Sequence, residues 1–205
     1  MKKARNLTCF ACLLLACAAQ AQWGVQGTVL HWEALSPRGF WFVRAGVDHD
    51  VNERGSLGVD YALSIDLFGA GQEGESGTYQ GNSVYYVLTS KAQGLTLRSA
   101  YHFSDNDEGS FYFGPFAGFR TVEYEVRPDD FNAPFRNETG SGTLFNLGFK
   151  LGYRGALDGF FSDIHVGYGT NFGNLDLVKA PYLDKKDMLG RGFFLVGYSW
   201  GMGWD

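Results

Sequence analysis

The chain has 205 residues, of which 17% are Phe, Tyr or Trp, 29 are Gly and only 5 are Pro. With 19% charged residues, this composition excludes a disordered chain and a coiled coil. The formal net charge is -5 and becomes -8 when the three cations of a predicted leader are removed, which argues against nucleic-acid binding.

The N-terminus has the three parts of a secretory signal peptide. Three cations stand within the first five residues, residues 7–19 are apolar, and Ala19-Gln20-Ala21 fits the A-x-A cleavage pattern. The apolar run is too short to be a membrane-spanning helix. We therefore predict a signal peptide over residues 1–21 and one domain over residues 22–205.

A second interpretation of the leader is a lipoprotein signal. Leu14-Leu15-Ala16-Cys17 resembles a lipobox, in which Cys17 would be the lipidated residue. Cys9 and Cys12 also lie in the leader, so the remaining domain has no cysteine for a disulfide, a nucleophile or a metal site.

Eight segments of the domain alternate between large apolar residues and small or polar ones, with the period of two that is typical of a strand. The most regular begins at Ser56, and the last reads FFLVGYSWGMGW. The eight predicted strands are residues 23–32, 40–50, 56–68, 87–103, 110–124, 144–154, 160–172 and 193–204. An even number of strands fits a single-chain bacterial membrane barrel.

The connections between these strands are of two kinds. Short polar turns are predicted at residues 51–55, 105–109 and 155–159. The other links are longer, at residues 69–83, 125–142 and 173–190, except for the short first link at 33–39. This alternation is typical of a barrel with short periplasmic turns and longer extracellular loops, and it places both chain ends on the periplasmic side.

Alternation alone leaves the direction of the apolar face open, because a soluble lipocalin-like barrel turns it inward around a ligand. Two features favour an outward apolar face. The polar face is rich in glycine, which suits a narrow lumen, and tryptophans fall near strand ends, where membrane barrels carry aromatic girdles. The predicted interface aromatics are Trp23, Trp41, Trp200 and Trp204.

Two segments, FGPFAGFR at residues 113–120 and LGFKLGYR at residues 147–154, resemble the small eight-stranded outer-membrane barrels of the OmpA/OmpX type. So does Gly197-Tyr198 in the last strand. The resemblance implies an all-β, up-and-down transmembrane barrel in the bacterial outer membrane that functions through its surface loops. It also implies contacts with outer-membrane lipid and lipopolysaccharide, recognition of the last strand by the barrel assembly machinery, a monomeric state and no cofactor.

The inward face is predicted to carry a polar network, because the interior of an eight-stranded barrel is just wide enough for side chains to fill. This network would close the lumen. Its predicted members are Arg44, Asp60, Arg98, Arg120, Lys150, Asp163 and His165.

Enzymatic function is not predicted. His102-Phe103-Ser104 has the spacing of the His-x-Ser pair of lipid A deacylases, but alternation points His102 into the lumen and topology places it at the periplasmic end. His31, His49 and His165 lie on different strands without metal-ligand spacing. We therefore predict no catalytic, cofactor or metal residues. A soluble periplasmic binder of an apolar ligand and a lipid-modifying outer-membrane enzyme are the alternative hypotheses.

Overall fold

The structure, a computed structural model, describes residues 23–35, 38–65, 73–79, 82–104, 109–128, 138–173, 175–176 and 192–204. The predicted signal peptide, with Cys17, lies outside the described residues. None of the described residues belongs to a helix that is long and apolar enough to cross a membrane.

The described residues form ten strands, and long antiparallel pairings connect them. The strands are β1 (Trp23–Leu35), β2 (Arg38–Asn52), β3 (Gly55–Ile65), β4 (Glu73–Tyr79), β5 (Asn82–His102), β6 (Gly109–Pro128), β7 (Glu138–Leu157), β8 (Phe160–Phe172), β9 (Leu175–Asp176) and β10 (Gly192–Trp204).

Eight of these strands close into a barrel. Going around it, the order is β1, β2, β3, β5, β6, β7, β8 and β10, and each strand is antiparallel to both neighbours. The last strand pairs with the first from Trp23 opposite Trp204 to Leu35 opposite Phe193, which closes the ring. The predicted all-β, eight-stranded up-and-down barrel is confirmed.

The two ends of the barrel differ. At one end, which we call the turn end, tight turns join β2 to β3 and β7 to β8, and both termini of the barrel lie there. Asp158 and Gly159 form one of these turns with φ of 48° and 78°, as a type I′ hairpin turn requires at both central residues. We call the opposite end the loop end.

The apolar face of every barrel strand is turned outward. In β3, Leu57, Val59 and Leu63 are about half exposed, whereas Asp60 and Ala62 between them are buried. This is the reverse of a lipocalin, in which the apolar face surrounds a ligand. A continuous outer surface of Leu, Val, Ile and Phe side chains requires an apolar surrounding medium.

Three strands reach past this apolar band at the loop end. β5, β6 and β7 have 21, 20 and 20 residues, although about 9–11 are enough to cross a bilayer. Their outward residues change from apolar to polar beyond Leu95 and Phe119, as exposed Lys91, Thr121 and Glu123 show.

The prediction of a loop over residues 69–83 was wrong for its central part. Residues 73–79 form β4, which pairs with the loop-end half of β5 from Glu73 opposite Leu88 to Tyr79 opposite Asn82. The segment EGESGTY has low intrinsic preference for a strand, and the exposed edge of the extended β5 supplies its pairing partner.

A β-bulge interrupts β1. Its register with β10 shifts between Thr28 and Leu30, so one extra residue stands in β1. Because side chains alternate with a period of two, an extra residue exchanges the two faces. Before the bulge, the even-numbered residues Gln26 and Thr28 are therefore the buried ones, and after it the odd-numbered residues His31 and Glu33 are buried.

Candidate functional site

Side chains from all eight barrel strands meet in the interior, which we treat as the candidate site. We call its charged and histidine members the interior network. They are His31, Glu33, Arg44, Asp48, Asp60, Arg98, Arg120, Lys150, Arg154, Asp163 and His165. Glycines leave room for these long side chains. A Cβ atom at Gly58, for example, would lie 2.5 Å from Asp48 Oδ1 and 2.7 Å from Arg98 Cζ.

A carboxylate forms the centre of the first part of the network, the Glu33 cluster, which comprises Glu33, His31, Arg44 and Arg120. Glu33 is only 1% exposed. Its Oε1 accepts a hydrogen bond from Arg44 at 2.7 Å, and its Oε2 lies 2.6 Å from Arg120 NH2. His31 Nε2 is 3.0 Å from Oε1. Two guanidinium groups thus share one buried carboxylate.

A guanidinium forms the centre of the second part, the Arg98 cluster, which comprises Arg98, Asp48, Asp60 and Gln26. Arg98 NH1 lies 2.7 Å from Asp48 Oδ1, and its Nε donates to Asp60 Oδ2 at 2.8 Å. Gln26 Nε2 donates to the other oxygen of Asp60 at 3.0 Å. Here two carboxylates share one buried cation.

Two histidines connect the Glu33 cluster to the next acid, Asp163. His31 Nδ1 and His165 Nε2 are 3.4 Å apart, and His165 Nδ1 is 2.7 Å from Asp163 Oδ1. Arg44 NH2 lies 2.7 Å from His31 Nε2. The two histidines therefore link the Glu33 cluster to the Asp163 carboxylate by successive side-chain contacts.

Arg154 completes the connection to the Arg98 cluster. Its Nε is 3.8 Å from Asp163 Oδ2, and its NH2 is 3.5 Å from Asp48 Oδ2. Tyr112 also donates to Asp163, at 3.0 Å. Ion pairs and hydrogen bonds therefore connect the Glu33 cluster, through His165, Asp163 and Arg154, to the Arg98 cluster.

An apolar layer covers the network on the loop-end side. The Arg120 guanidinium carbon lies 4.7 Å from the ring centroid of Phe42 and 5.9 Å from that of Phe193. The other buried apolar side chains of the interior at this level are Phe40, Phe116, Val122, Leu144 and Leu195. The inside of the barrel is thus polar toward the turn end and apolar toward the loop end.

All seven residues predicted for the interior lie there and are buried, with exposed fractions of 2–9%. Six of them join the connected network, and the seventh, Lys150, has its Nζ 6.0 Å from the ring centroid of Tyr112.

Sequence reasoning missed Glu33, which it placed in the first connection. It also gave His31 only a structural role. The one available signal was the irregular alternation of the first segment, which reflects the bulge.

The predicted interface tryptophans fall into two groups. Trp23 is exposed at the turn end, where its ring lies 4.5 Å from that of His49, and the backbone of Trp204 pairs with it. Trp200 is half exposed four residues farther into β10. Trp41 lies toward the loop end with its ring 6.5 Å from Trp32. The side chain of Trp204 lies outside the described part of the structure.

His102 does not have the partner that the His-x-Ser spacing suggests. Its Nδ1 lies 2.6 Å from Ser110 Oγ on the neighbouring strand, and it is half-buried near the turn end. Among the described residues, no group of three His, Cys, Asp or Glu side chains could hold a metal ion.

No family model and no curated protein sequence matches the chain. Among solved structures, it is similar to a major outer membrane protein from Thermus thermophilus, with a TM-score of 0.60 and 12% identity over 90% of this chain and 100% of that one. It is also similar to Neisserial surface protein A, with a TM-score of 0.50 and 13% identity over 89% and 96% of the two chains. The chain therefore has the fold of small outer-membrane barrels.

Proposed function

We propose that this chain is a non-enzymatic barrel of the bacterial outer membrane that acts through the structure it presents at the loop end. The observation that carries the proposal is the direction of the two faces. Exposed Leu, Val, Ile and Phe side chains cover the outer surface, and nearly all buried charges lie inside. In water this arrangement would be strongly unfavourable, whereas in a bilayer it buries the apolar band in lipid.

The proposal includes a closed lumen. The interior network and the apolar layer supply side chains at successive levels, and an eight-stranded barrel has little space beyond its side chains. A buried network of this kind fixes the strands relative to one another and contributes no pathway for solutes. The role is then structural support for the loop-end extension.

The surface role is assigned to the extension formed by β4 and the loop-end parts of β5, β6 and β7. Exposed Lys91, Gln93, Thr121 and Glu123 give its outer side a polar, mixed-charge character above the apolar band. Such a surface suits contact with lipopolysaccharide headgroups or with a protein outside the cell. The barrel itself is proposed to be monomeric, with export by residues 1–21 and assembly guided by β10.

Cell fractionation combined with gel migration tests the membrane location. We expect the protein in the outer-membrane fraction, with a folded form that migrates differently from the boiled form. Recovery from the periplasm as a soluble protein without detergent would contradict the proposal.

Two further measurements test the closed lumen and the lack of catalysis. In planar bilayers we expect no large, stable conductance, and such a conductance would show that the interior is open. Mass spectra of lipid A from cells with and without the gene should be identical. A gene-dependent change in acylation would favour the enzymatic alternative.

A further inference from the structure

Two buried histidines meet inside the barrel at the seam where it closes. His31 lies on the first strand, β1, and His165 lies on β8, and each pairs with Gly197 of the last strand, β10, which runs between them. The exposed fractions of the two histidines are 1% and 5%. Because Gly197 has no side chain, the two rings approach each other over it, with 5.6 Å between their centroids. A link between these rings therefore joins three strands.

One nitrogen of each ring faces the other ring. His31 Nδ1 and His165 Nε2 are 3.4 Å apart. A Cβ atom added at Gly197 would lie 2.8 Å from His31 Nδ1 and would collide with His165 Nε2, so both nitrogens converge on the same space. The bond from zinc to a histidine nitrogen is about 2.0–2.1 Å long, so one ion of similar size can contact both nitrogens in a bent geometry.

The other nitrogen of each ring lies against a carboxylate. His31 Nε2 is 3.0 Å from Glu33 Oε1, and His165 Nδ1 is 2.7 Å from Asp163 Oδ1. Arg44 NH2 lies 2.7 Å from His31 Nε2 and donates to the same oxygen of Glu33. A ring N–H that is donated to a carboxylate leaves the opposite nitrogen with a free lone pair, and this arrangement orients histidine ligands in metal sites.

We propose that His31 Nδ1 and His165 Nε2 bind one soft monovalent metal cation, of the copper(I) and silver(I) class, which links the strands of the closing seam. Imidazole is a suitable ligand for copper, and monovalent copper and silver accept two ligands, whereas zinc sites have four. Arg44 and Arg120 already balance the charge of Glu33. One added positive charge is therefore less unfavourable here than two.

The test uses the untagged full barrel folded in detergent, with silver nitrate in chloride-free buffer as the probe. We expect silver to raise the melting temperature of the wild type by about 5 °C, because a ligand that binds only the folded state stabilises it. His165→Asn keeps a donor for Asp163 and removes the nitrogen that faces His31, so this rise should disappear. His49→Asn makes the same change beside Trp23 and should leave the rise intact.

Binding stoichiometry and NMR supply two further readouts. The wild type should bind one more silver ion than His165→Asn, since exposed sites such as Met202 are the same in both. In NMR spectra of the wild type with labelled histidine nitrogens, silver should shift the signals of His31 Nδ1 and His165 Nε2 more than those of the other two histidines. If His165→Asn fails to fold, this wild-type spectrum decides.

An unchanged melting temperature, an equal rise in His165→Asn, or shifts confined to other nitrogens would each overturn the proposal. Zinc sulfate tests a divalent ion in the same way, and we expect it to raise the melting temperature less than silver does. An equal or larger rise with zinc that depends on His165 would overturn the assignment of a monovalent ion.

Discussion

The Glu33 cluster and the Arg98 cluster each hold one buried charge between two groups of opposite charge, and the sign of the central charge differs between them. In the first, one carboxylate near the apolar layer is shared by two guanidinium groups. In the second, one guanidinium nearer the turn end is shared by two carboxylates. The comparison teaches that charge is balanced over the connected network and not within each cluster. Loss of either central group would therefore leave two like charges facing each other in the interior.

The largest effect is expected for Glu33→Gln. The amide keeps the shape of the side chain but leaves Arg44 and Arg120 without their shared counter-charge. Breaking a buried ion pair from one side costs about 3–5 kcal/mol. Urea unfolding in lipid vesicles, followed by tryptophan fluorescence, measures this loss.

The matched control for that prediction is Glu123→Gln, which makes the same change at an exposed position of β6. Its unfolding free energy should stay within about 0.5 kcal/mol of the wild type. Equal losses in the two variants would show that burial of the charge is not what matters.

A somewhat smaller and pH-dependent loss is expected for Arg98→Met. At neutral pH, Asp48 would keep only Arg154 at 3.5 Å and Asp60 only the hydrogen bond from Gln26, so the loss of the shared cation should cost about 3 kcal/mol. A carboxylate can take up a proton in acid, which removes its uncompensated charge, whereas a guanidinium does not lose its proton. The stability difference from wild type should therefore shrink between pH 7 and about pH 4 for Arg98→Met.

Glu33→Gln is the comparison variant for this pH series. Its stability difference should not shrink over the same range, because the two arginines left behind remain charged. If both variants respond to acid in the same way, the two clusters are not electrostatic opposites.

The direction of most interior side chains follows from the sequence because alternation is strict in a regular strand. Asp60 and Arg98 belong to β3 and β5, whose mutual pairing shows no register shift, so counting by two from any apolar neighbour gives their side. Glu33 escaped this reasoning because the first strand was predicted to end at residue 32, whereas β1 continues to Leu35 beyond a bulge that interrupts its alternation. The position of a bulge depends on how a strand pairs with its neighbours, so the residues of that strand alone do not predict it.

Contacts across the barrel were equally inaccessible. The approach of His31 to His165 joins β1 to β8 across β10, and it depends on the shear of the closed sheet. The strand β4 was missed for a related reason, because β5 supplies the partner that its own residues do not predict. The residue pattern predicts which face of a strand a side chain lies on and the order of the strands along the chain. Distances between side chains on different strands depend on how the barrel closes.

The contact between His31 and His165, which links the two clusters, can be disturbed without changing a charge. Gly197 faces the two histidines, and a Cβ atom there would meet His165 Nε2 and lie 2.8 Å from His31 Nδ1. Gly197→Ala should cost about 2 kcal/mol in unfolding free energy, as overpacking of a filled interior does.

Gly27→Ala is the matched glycine control for the histidine connection. It lies on the outer face of β1, where a Cβ atom would have no other atom within 4 Å. We expect a change of less than about 0.5 kcal/mol. A Gly197→Ala variant as stable as Gly27→Ala would mean that the histidines can move apart freely.

The smallest effect concerns an uncharged bond beside the same connection. Thr28 Oγ1 and Ser199 Oγ are 2.9 Å apart, both nearly fully buried, and directly opposite each other where β1 closes on β10. Thr28→Val or Ser199→Ala should each cost about 1 kcal/mol, because each leaves one buried hydroxyl without its partner. The double variant should cost less than the sum, since no orphaned hydroxyl remains. Additive losses in this double-mutant cycle would show that the hydroxyls act independently, and that charge alone specifies how the barrel closes between the two clusters.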